Sequence, residues 1–344
     1  MANENFVVTG LPDYIQENRD VILKQFGLVG TATRRRIHIQ TGIKKQAALN
    51  YLDIVPELQA GTPCGFNPSG SADLSQRVIN VACIKTEMEI CVENLRGKWA
   101  EYLIKTAAGD QDLPFERFIV DGIISAVNEK IENLIWQGDT TLTTNSDLKW
   151  FDGFLKQFGA DSDVIDVAIA SGTSAYNGIL AVYMALPEEV LKRGGVIFVG
   201  PAIYRAFLQD LVALNFFHYA GPQNAAPEEF IIPGTDVRVI KTPGLAGSLD
   251  IVGTFANNLV YGTDMENDDE RILIEYDKMK EAFQLKLKWC SGVAYYFPDM
   301  VVLGTFAAAP VSTMGANAAA LAGIQAAAEA LADADKVFKT KEQA

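Results

Sequence analysis

The chain has 344 residues, 49% of them hydrophobic, which is enough to fill one large or two modest cores. Its net charge of −14 works against tight nonspecific nucleic-acid binding, because phosphate neutralisation needs clustered Lys and Arg. No charged start followed by an apolar stretch opens the sequence, and no apolar run reaches about 18 residues, so neither secretion nor membrane insertion is expected.

Residues 11–26 carry an amphipathic helix pattern, with Leu11, Tyr14, Ile15, Val21, Ile22, Leu23 and Phe26 among charged positions, Asp13 as N-cap and Gly27 as the stop. The next segment is basic: Arg34, Arg35, Arg36, Lys44 and Lys45 occur with no acidic residue between 31 and 46. In so acidic a chain this asymmetry fits an arm that docks on a negative neighbour, and equally an ordinary solvated edge strand. Residues 47–93 read as two extended runs, 48–58 and 74–92, around a stretch dense in breakers, Gly61, Pro63, Gly65, Pro68 and Gly70. A compact domain seldom needs so long a hairpin tip, so a projecting hairpin that lies on another subunit is expected.

After a turn at 107–110, the strongest helix pattern of the chain runs over 113–137. Pro114 suits its first turn, Phe115, Phe118, Ile119, Ile123, Val127, Ile131, Leu134 and Ile135 recur at spacings of three and four, and Gly138 ends it. At about 1.5 Å per residue it would be roughly 35 Å long, a backbone for an elongated subunit. From 164 the pattern becomes mixed α/β: a helix over 174–185, a buried strand over 196–199, and a helix from Pro201 to Leu214. Residues 231–240 read as strand, turn and strand, and 251–255 as a further strand. The alanine-rich segment 316–334 places Leu321, Ile324, Ala328 and Leu331 on a narrow apolar stripe, too small for a core; it fits packing on another copy or an internal partner, and equally a frayed helix in solvent.

The residues that carry most enzyme chemistry are sparse. Cys64, Cys83, Cys91 and Cys290 show neither a CxxC pair nor zinc-ligand spacing, and are expected to be reduced, mostly buried thiols. The histidines are His38 and His218, each in a strand-like or core-edge setting rather than beside a nucleophile. No Walker loop, GxGxxG, GxSxG or HExxH occurs, and Gly200 alone marks the strand-to-helix turn where a phosphate would bind. Asp264, Glu266, Asp268 and Glu275 take the first, third, fifth and twelfth places of a calcium-loop template, but Asp269 stands where that loop needs glycine, and Arg271 and Ile274 continue a strand pattern. A solvated acidic loop is the expected reading.

Two stretches carry a resemblance. One is Asn258-Leu259-Val260-Tyr261-Gly262-Thr263-Asp264, leading through Arg271-Ile272-Leu273-Ile274-Glu275-Tyr276 into Tyr295-Tyr296-Phe297-Pro298-Asp299-Met300-Val301-Val302-Leu303. The other is the helix end Ile131-Glu132-Asn133-Leu134-Ile135-Trp136-Gln137-Gly138-Asp139 followed by Phe151-Asp152-Gly153-Phe154. This order resembles that of tailed-bacteriophage major capsid proteins of the Hong Kong 97 type, over roughly residues 30–305.

The resemblance implies an α+β capsid fold with an N-terminal arm over 1–46 and an E-loop β-hairpin over 47–93. It further implies a peripheral domain over 94–163 with a spine helix at 113–137, an axial α/β domain over 164–265, a return to the peripheral sheet over 266–305 and a tail over 306–344. The implied function is structural and non-enzymatic, without cofactor or metal: self-assembly as pentamers and hexamers into an icosahedral head enclosing double-stranded DNA, in the virion after assembly in the host cytoplasm. Implied partners are a separate scaffolding protein, a portal protein, a decoration protein and the packaged DNA by weak nonspecific contact. Arg34, Arg35, Arg36, Cys64, Phe66, Asn67, Asp264, Glu266 and Asp268 are the expected assembly contacts. Some family members crosslink an E-loop lysine to a neighbour's asparagine; residues 57–80 contain no lysine here, so that link is not expected. Two other functions fit parts of the chain. A cellular nanocompartment shell of the same fold would suit the helix at 11–26. A carboxylate-based enzyme would need paired acids in an apolar pocket, whereas these acids cluster in loops.

Overall fold

The computed structural model describes residues 32–59, 69–91, 115–144, 147–214, 229–264, 272–277, 279–280 and 282–310. The helices expected over 11–26 and 316–334, and His218, lie outside them. In chain order the elements begin with β1 (His38–Gln40), β2 (Gln46–Val55), β3 (Ser71–Asn80) and β4 (Ala82–Cys91), then α1 (Phe115–Gln137) and α2 (Phe154–Ala160). Next come β5 (Ile165–Ile169), α3 (Ala175–Ala185), α4 (Glu188–Lys192), β6 (Gly195–Val199) and α5 (Pro201–Ala213). The chain continues through β7 (Glu229–Ile231), β8 (Arg238–Lys241), β9 (Asp250–Phe255), β10 (Leu259–Thr263), β11 (Ile272–Asp277), β12 (Ala282–Tyr295) and β13 (Val302–Phe306). They fall into two compact units, Met1–Asp161 with Ala256–Pro298, and Ser162–Phe255 with Asp299–Ala344.

In the first unit a sheet forms around the 14-residue strand β12. β4 pairs antiparallel with it from Ala82–Ser291 to Cys91–Ala282, β11 and β10 pair with its two halves, and β1 adds in parallel to β10. Helix α1 turns Val127, Ile131, Leu134 and Ile135 inward, the three-and-four spacing that marked it in the sequence. Its end is fixed by a close backbone crossing: Gly153 N–H donates to Gly138 O at 2.8 Å, and a Cβ on Gly153 would sit 2.7 Å from Trp136 O. Trp136, Phe154 and Phe158 then pack in sequence against Tyr295, with centroids 5.3, 5.7 and 4.9 Å apart.

The region expected to hold two extended runs holds three strands. β2 and β3 form a separate two-stranded ladder, while β4 leaves it for β12. The break comes at Val81, which is buried and donates its N–H to Lys45 O at 2.8 Å. Opposite the break, Gly292 on β12 lets the carbonyl of Asn80 approach where a Cβ would collide with it.

The second unit holds a six-stranded mixed sheet in the order β5-β13-β9-β6-β8-β7. Every residue of β6 is buried, as is β9 from Ile251 to Phe255. Ser174 caps α3 by accepting from Asn177 N–H, and Pro201 opens α5. The two helices meet through Tyr176 and Phe207, stacked at 6.2 Å. Buried Asp210 on α5 accepts from Tyr176 N–H at 3.0 Å, so a carboxylate sits at the positive start of α3.

Residues 295–303 span two strands: β12 stops at Tyr295, and β13 begins at Val302, beyond Pro298, which has no N–H to give a ladder. Two expectations are corrected here. The boundaries shift accordingly. β10 belongs to the first unit because it pairs with β12, and β13 belongs to the second because it lies between β5 and β9. The chain at Phe306 is still a core strand, not yet a tail. Finally, Cys83 and Cys290 are joined by a disulfide, not reduced, because the β4–β12 register sets them directly opposite across a sequence separation of 207.

Candidate assembly surface

The β2–β3 hairpin has two apolar faces. Leu49 and Ile79 point inward and join Ile43, Val81, Val260, Cys290 and Ala294 in one cluster. The alternate residues point the other way: Leu52 lies opposite Leu74, Ile54 opposite Ala72 and Ala48 opposite Val78. There, Leu52, Ile54, Leu74 and Val78 are 53, 58, 73 and 52% exposed. A monomer rarely leaves so many large apolar side chains together in water.

The root of the hairpin is tied down by a polar knot. Arg77 on β3 pairs with the Asp161 carboxylate and lies over the Tyr295 ring, 4.4 Å from its centroid, while the Tyr295 hydroxyl donates to Asp161 Oδ2 at 2.7 Å. Burial, and then the hydrogen bond to Asp161, raise the Tyr295 hydroxyl to about 12. Tyr51 on β2 adds an edge contact to Phe297 at 5.0 Å. The hairpin is therefore held firmly at one end and on one face.

The arginine cluster divides. Arg34 is 1% exposed: it donates to Asn128 Oδ1 at 2.7 Å and lies over the Tyr261 ring at 5.5 Å. Beside it, Thr33 donates its N–H and hydroxyl to Glu132 Oε1 and accepts from Trp136 Nε1–H at 2.7 Å. Asn128 and Glu132 are one helical turn apart, so α1 clasps this segment from a single face. Arg34 thus packs inside its own subunit, and the expectation that it faces a neighbour is corrected. Arg36 donates to Ala32 O at 2.7 Å, and Arg35 is exposed.

The remaining expected contacts are scattered. Asp264 is half-buried just beyond β10, and Glu275 lies within β11 opposite Gln284, a strand position rather than the last ligand of a calcium loop. Cys64, Phe66, Asn67, Glu266 and Asp268 lie outside the described residues. Among the described residues no three His, Cys, Asp or Glu side chains converge as metal ligands, and no helix is long and apolar enough to cross a membrane.

Between α1 and α2, Lys156 Nζ reaches Asp139 Oδ1 at 2.6 Å and Asp152 Oδ1 at 2.7 Å. Hydrogen bonds from Lys156 and then Thr141 hold the Asp139 carboxyl down at about 2. With its carboxylates engaged by the chain's own donors, this cluster latches the two helix ends and offers no free base. The exposed hairpin face was missed in the sequence. Its signal was there: apolar residues at both parities of one strand, Leu49 and Tyr51 against Leu52 and Ile54.

Solved capsid structures are similar to this chain in fold. A chain of the satellite phage P4 procapsid including size determination (Sid) protein matches with a TM-score of 0.55 and 12% identity, covering 84% of this chain and 98% of its own. The capsid of an empty GTA particle matches at 0.50 and 13%, covering 81% and 90%, and Gordonia phage Cozz at 0.50 and 10%, covering 81% and 87%. No protein-family profile matches the sequence, and no curated protein does. At these identities the likeness is one of fold: the chain has the α+β fold of phage capsid proteins.

Proposed function

We propose that this chain is the major capsid protein of a tailed phage, a structural and non-enzymatic protein that self-assembles as pentamers and hexamers into an icosahedral head around double-stranded DNA. The observation that carries this reading is the uncovered apolar face of Leu52, Ile54, Leu74 and Val78 on a protein of capsid-type fold. A two-stranded hairpin is marginal by itself, and burying apolar surface stabilises by roughly 25 cal/mol per Å². A second copy supplies that burial, and a closed shell repeats the contact at every subunit.

In this reading β2–β3 is the E-loop, α1 the spine helix, the β12-centred sheet the peripheral sheet, and the unit holding the six-stranded sheet the axial domain. Arg35 docks the N-terminal arm on acidic surface of an adjacent subunit, with Asp264, Glu266 and Asp268 on the acidic side and Cys64, Phe66 and Asn67 at the hairpin tip. Each exposed pair is worth about 0–1 kcal/mol, but each recurs throughout the shell. A net charge of −14 gives an acidic wall that does not trap the DNA, which it touches only by weak nonspecific contact, so the genome can move during packaging. A separate scaffolding protein, a portal protein and a decoration protein complete a virion assembled in the host cytoplasm.

Negative-stain microscopy of the expressed full chain, with and without a co-expressed scaffold, tests the proposal. Hollow particles tens of nanometres across are expected. A strictly monomeric protein under all these conditions overturns it.

A further inference from the structure

We propose that Cys83 and Cys290 form a reversible thiol–disulfide modification site that pins the root of the hairpin to the central strand β12. The two residues are a register pair of the β4–β12 ladder, with Cα atoms 3.9 Å apart. That ladder continues for eight pairs on one side, to Cys91–Ala282, so backbone hydrogen bonding keeps the sulphurs adjacent whether or not they are bonded. Oxidation then needs no refolding, and reduction need not unfold the sheet.

The two residues differ in exposure. Cys83 is on an exposed residue two positions after Val81, where the chain leaves the hairpin; Cys290 is 5% exposed. Cys290 also belongs to the cluster that contains Leu49 of β2 and Ile79 of β3. A bond between them therefore links the exit from the hairpin to the apolar cluster beneath it.

The exposure difference sets the order of the chemistry. The Cys83 thiolate attacks one sulphur of a low-molecular-weight disulfide and expels one thiolate. The Cys290 thiolate then attacks the Cys83 sulphur of the mixed disulfide and expels the second. Two protein thiols lose two electrons and two protons, and the small disulfide takes them up as two thiols. In a reducing compartment the pair stays open; in an oxidising medium it closes. Closure ties chain segments far apart in sequence and limits the unfolded ensemble, so it fixes the hairpin root after the protein has been made. This inference is independent of the shell assignment, because it concerns one chain.

The test uses the purified full-length protein equilibrated with reduced or oxidised glutathione and then alkylated with iodoacetamide. Peptide mapping should find Cys83 linked to Cys290 in the oxidised sample and both alkylated in the reduced one. The oxidised protein should melt about 3–8 °C higher. Amide hydrogen exchange over residues 71–91 should be slower in it. Cys83→Ala should abolish the difference between the two buffers, whereas a Cys64→Ser/Cys91→Ser double variant should keep it. Alkylated Cys83 in the oxidised sample, a link from Cys83 to Cys64 or Cys91, or a redox-dependent melt that survives Cys83→Ala would each overturn the proposal.

Discussion

The β2–β3 hairpin and the β6–β9 pair are both antiparallel ladders, but they dispose of their apolar residues differently. β6 and most of β9 are buried, within a sheet that carries α3 and α4 of the same unit against it. The hairpin buries Leu49 and Ile79 and leaves Leu52, Ile54, Leu74 and Val78 in water. A strand pair covered on both faces is finished by its own chain. One covered on a single face, yet apolar on both, is left unfinished by its own chain, and under the proposed function a second copy completes it.

The sharpest way to break this comparison is to charge the uncovered face. Leu52→Lys with Leu74→Asp, opposite charges across the ladder, should abolish particle formation while changing the stability of the isolated subunit by no more than about 0.5 kcal/mol, the usual range for exposed positions. Microscopy and a thermal melt read the two effects separately, and normal particles would remove the hairpin face from the assembly contact. The covered pair should respond in the opposite sense. Phe198→Ala on β6, with its side chain fully buried, should cost about 3–5 kcal/mol in urea unfolding. A cost below about 1 kcal/mol would mean that the second unit is not the self-sufficient one.

Two further variants probe how the first unit anchors what it leaves uncovered. Asn128→Ala removes an acceptor from the buried Arg34 guanidinium and should cost about 1.5–3 kcal/mol, more than Arg35→Ala, whose side chain is exposed. Equal costs would show that Arg34 is no more embedded than its neighbour. The smallest effect is expected at the hairpin root, where Tyr295→Phe should cost about 1 kcal/mol by removing the donor to Asp161. Here the pH dependence has a defined sign. The hydroxyl is raised to about 12 in the fold against about 10 in an unfolded chain, so its contribution is intact below about pH 10 and is lost as pH rises through about 12. The gap between wild type and variant should shrink across that window; a constant gap would place the stabilisation in packing of the ring alone.

Much of the secondary structure was legible because it depends on neighbours in sequence. Ile131, Leu134 and Ile135 announced α1 by spacing, Pro201 announced the start of α5, and the uninterrupted apolar run of β6 announced a buried strand. Helix α2 was not legible, since its seven residues are too few to display a period. The candidate assembly surface was half legible: a hairpin with a breaker-rich tip could be read, but not which parity of its residues would be covered.

What the sequence by itself determined is the local material: an acidic chain, sparse in the usual catalytic motifs, with one long amphipathic helix, a hairpin and an α/β stretch in an order shared with capsid proteins. Tertiary structure decided everything that depends on which distant segments become neighbours. It turned Arg34 from a surface charge into a buried one by setting Asn128 beside it, and it moved β10 and β13 across the expected boundary through their strand partners. It also brought Cys83 and Cys290 opposite each other. Spacing along a chain encodes the periodicity of helices and strands, whereas pairing and burial are set by the free energy of contacts between residues far apart in that chain, which no local pattern contains.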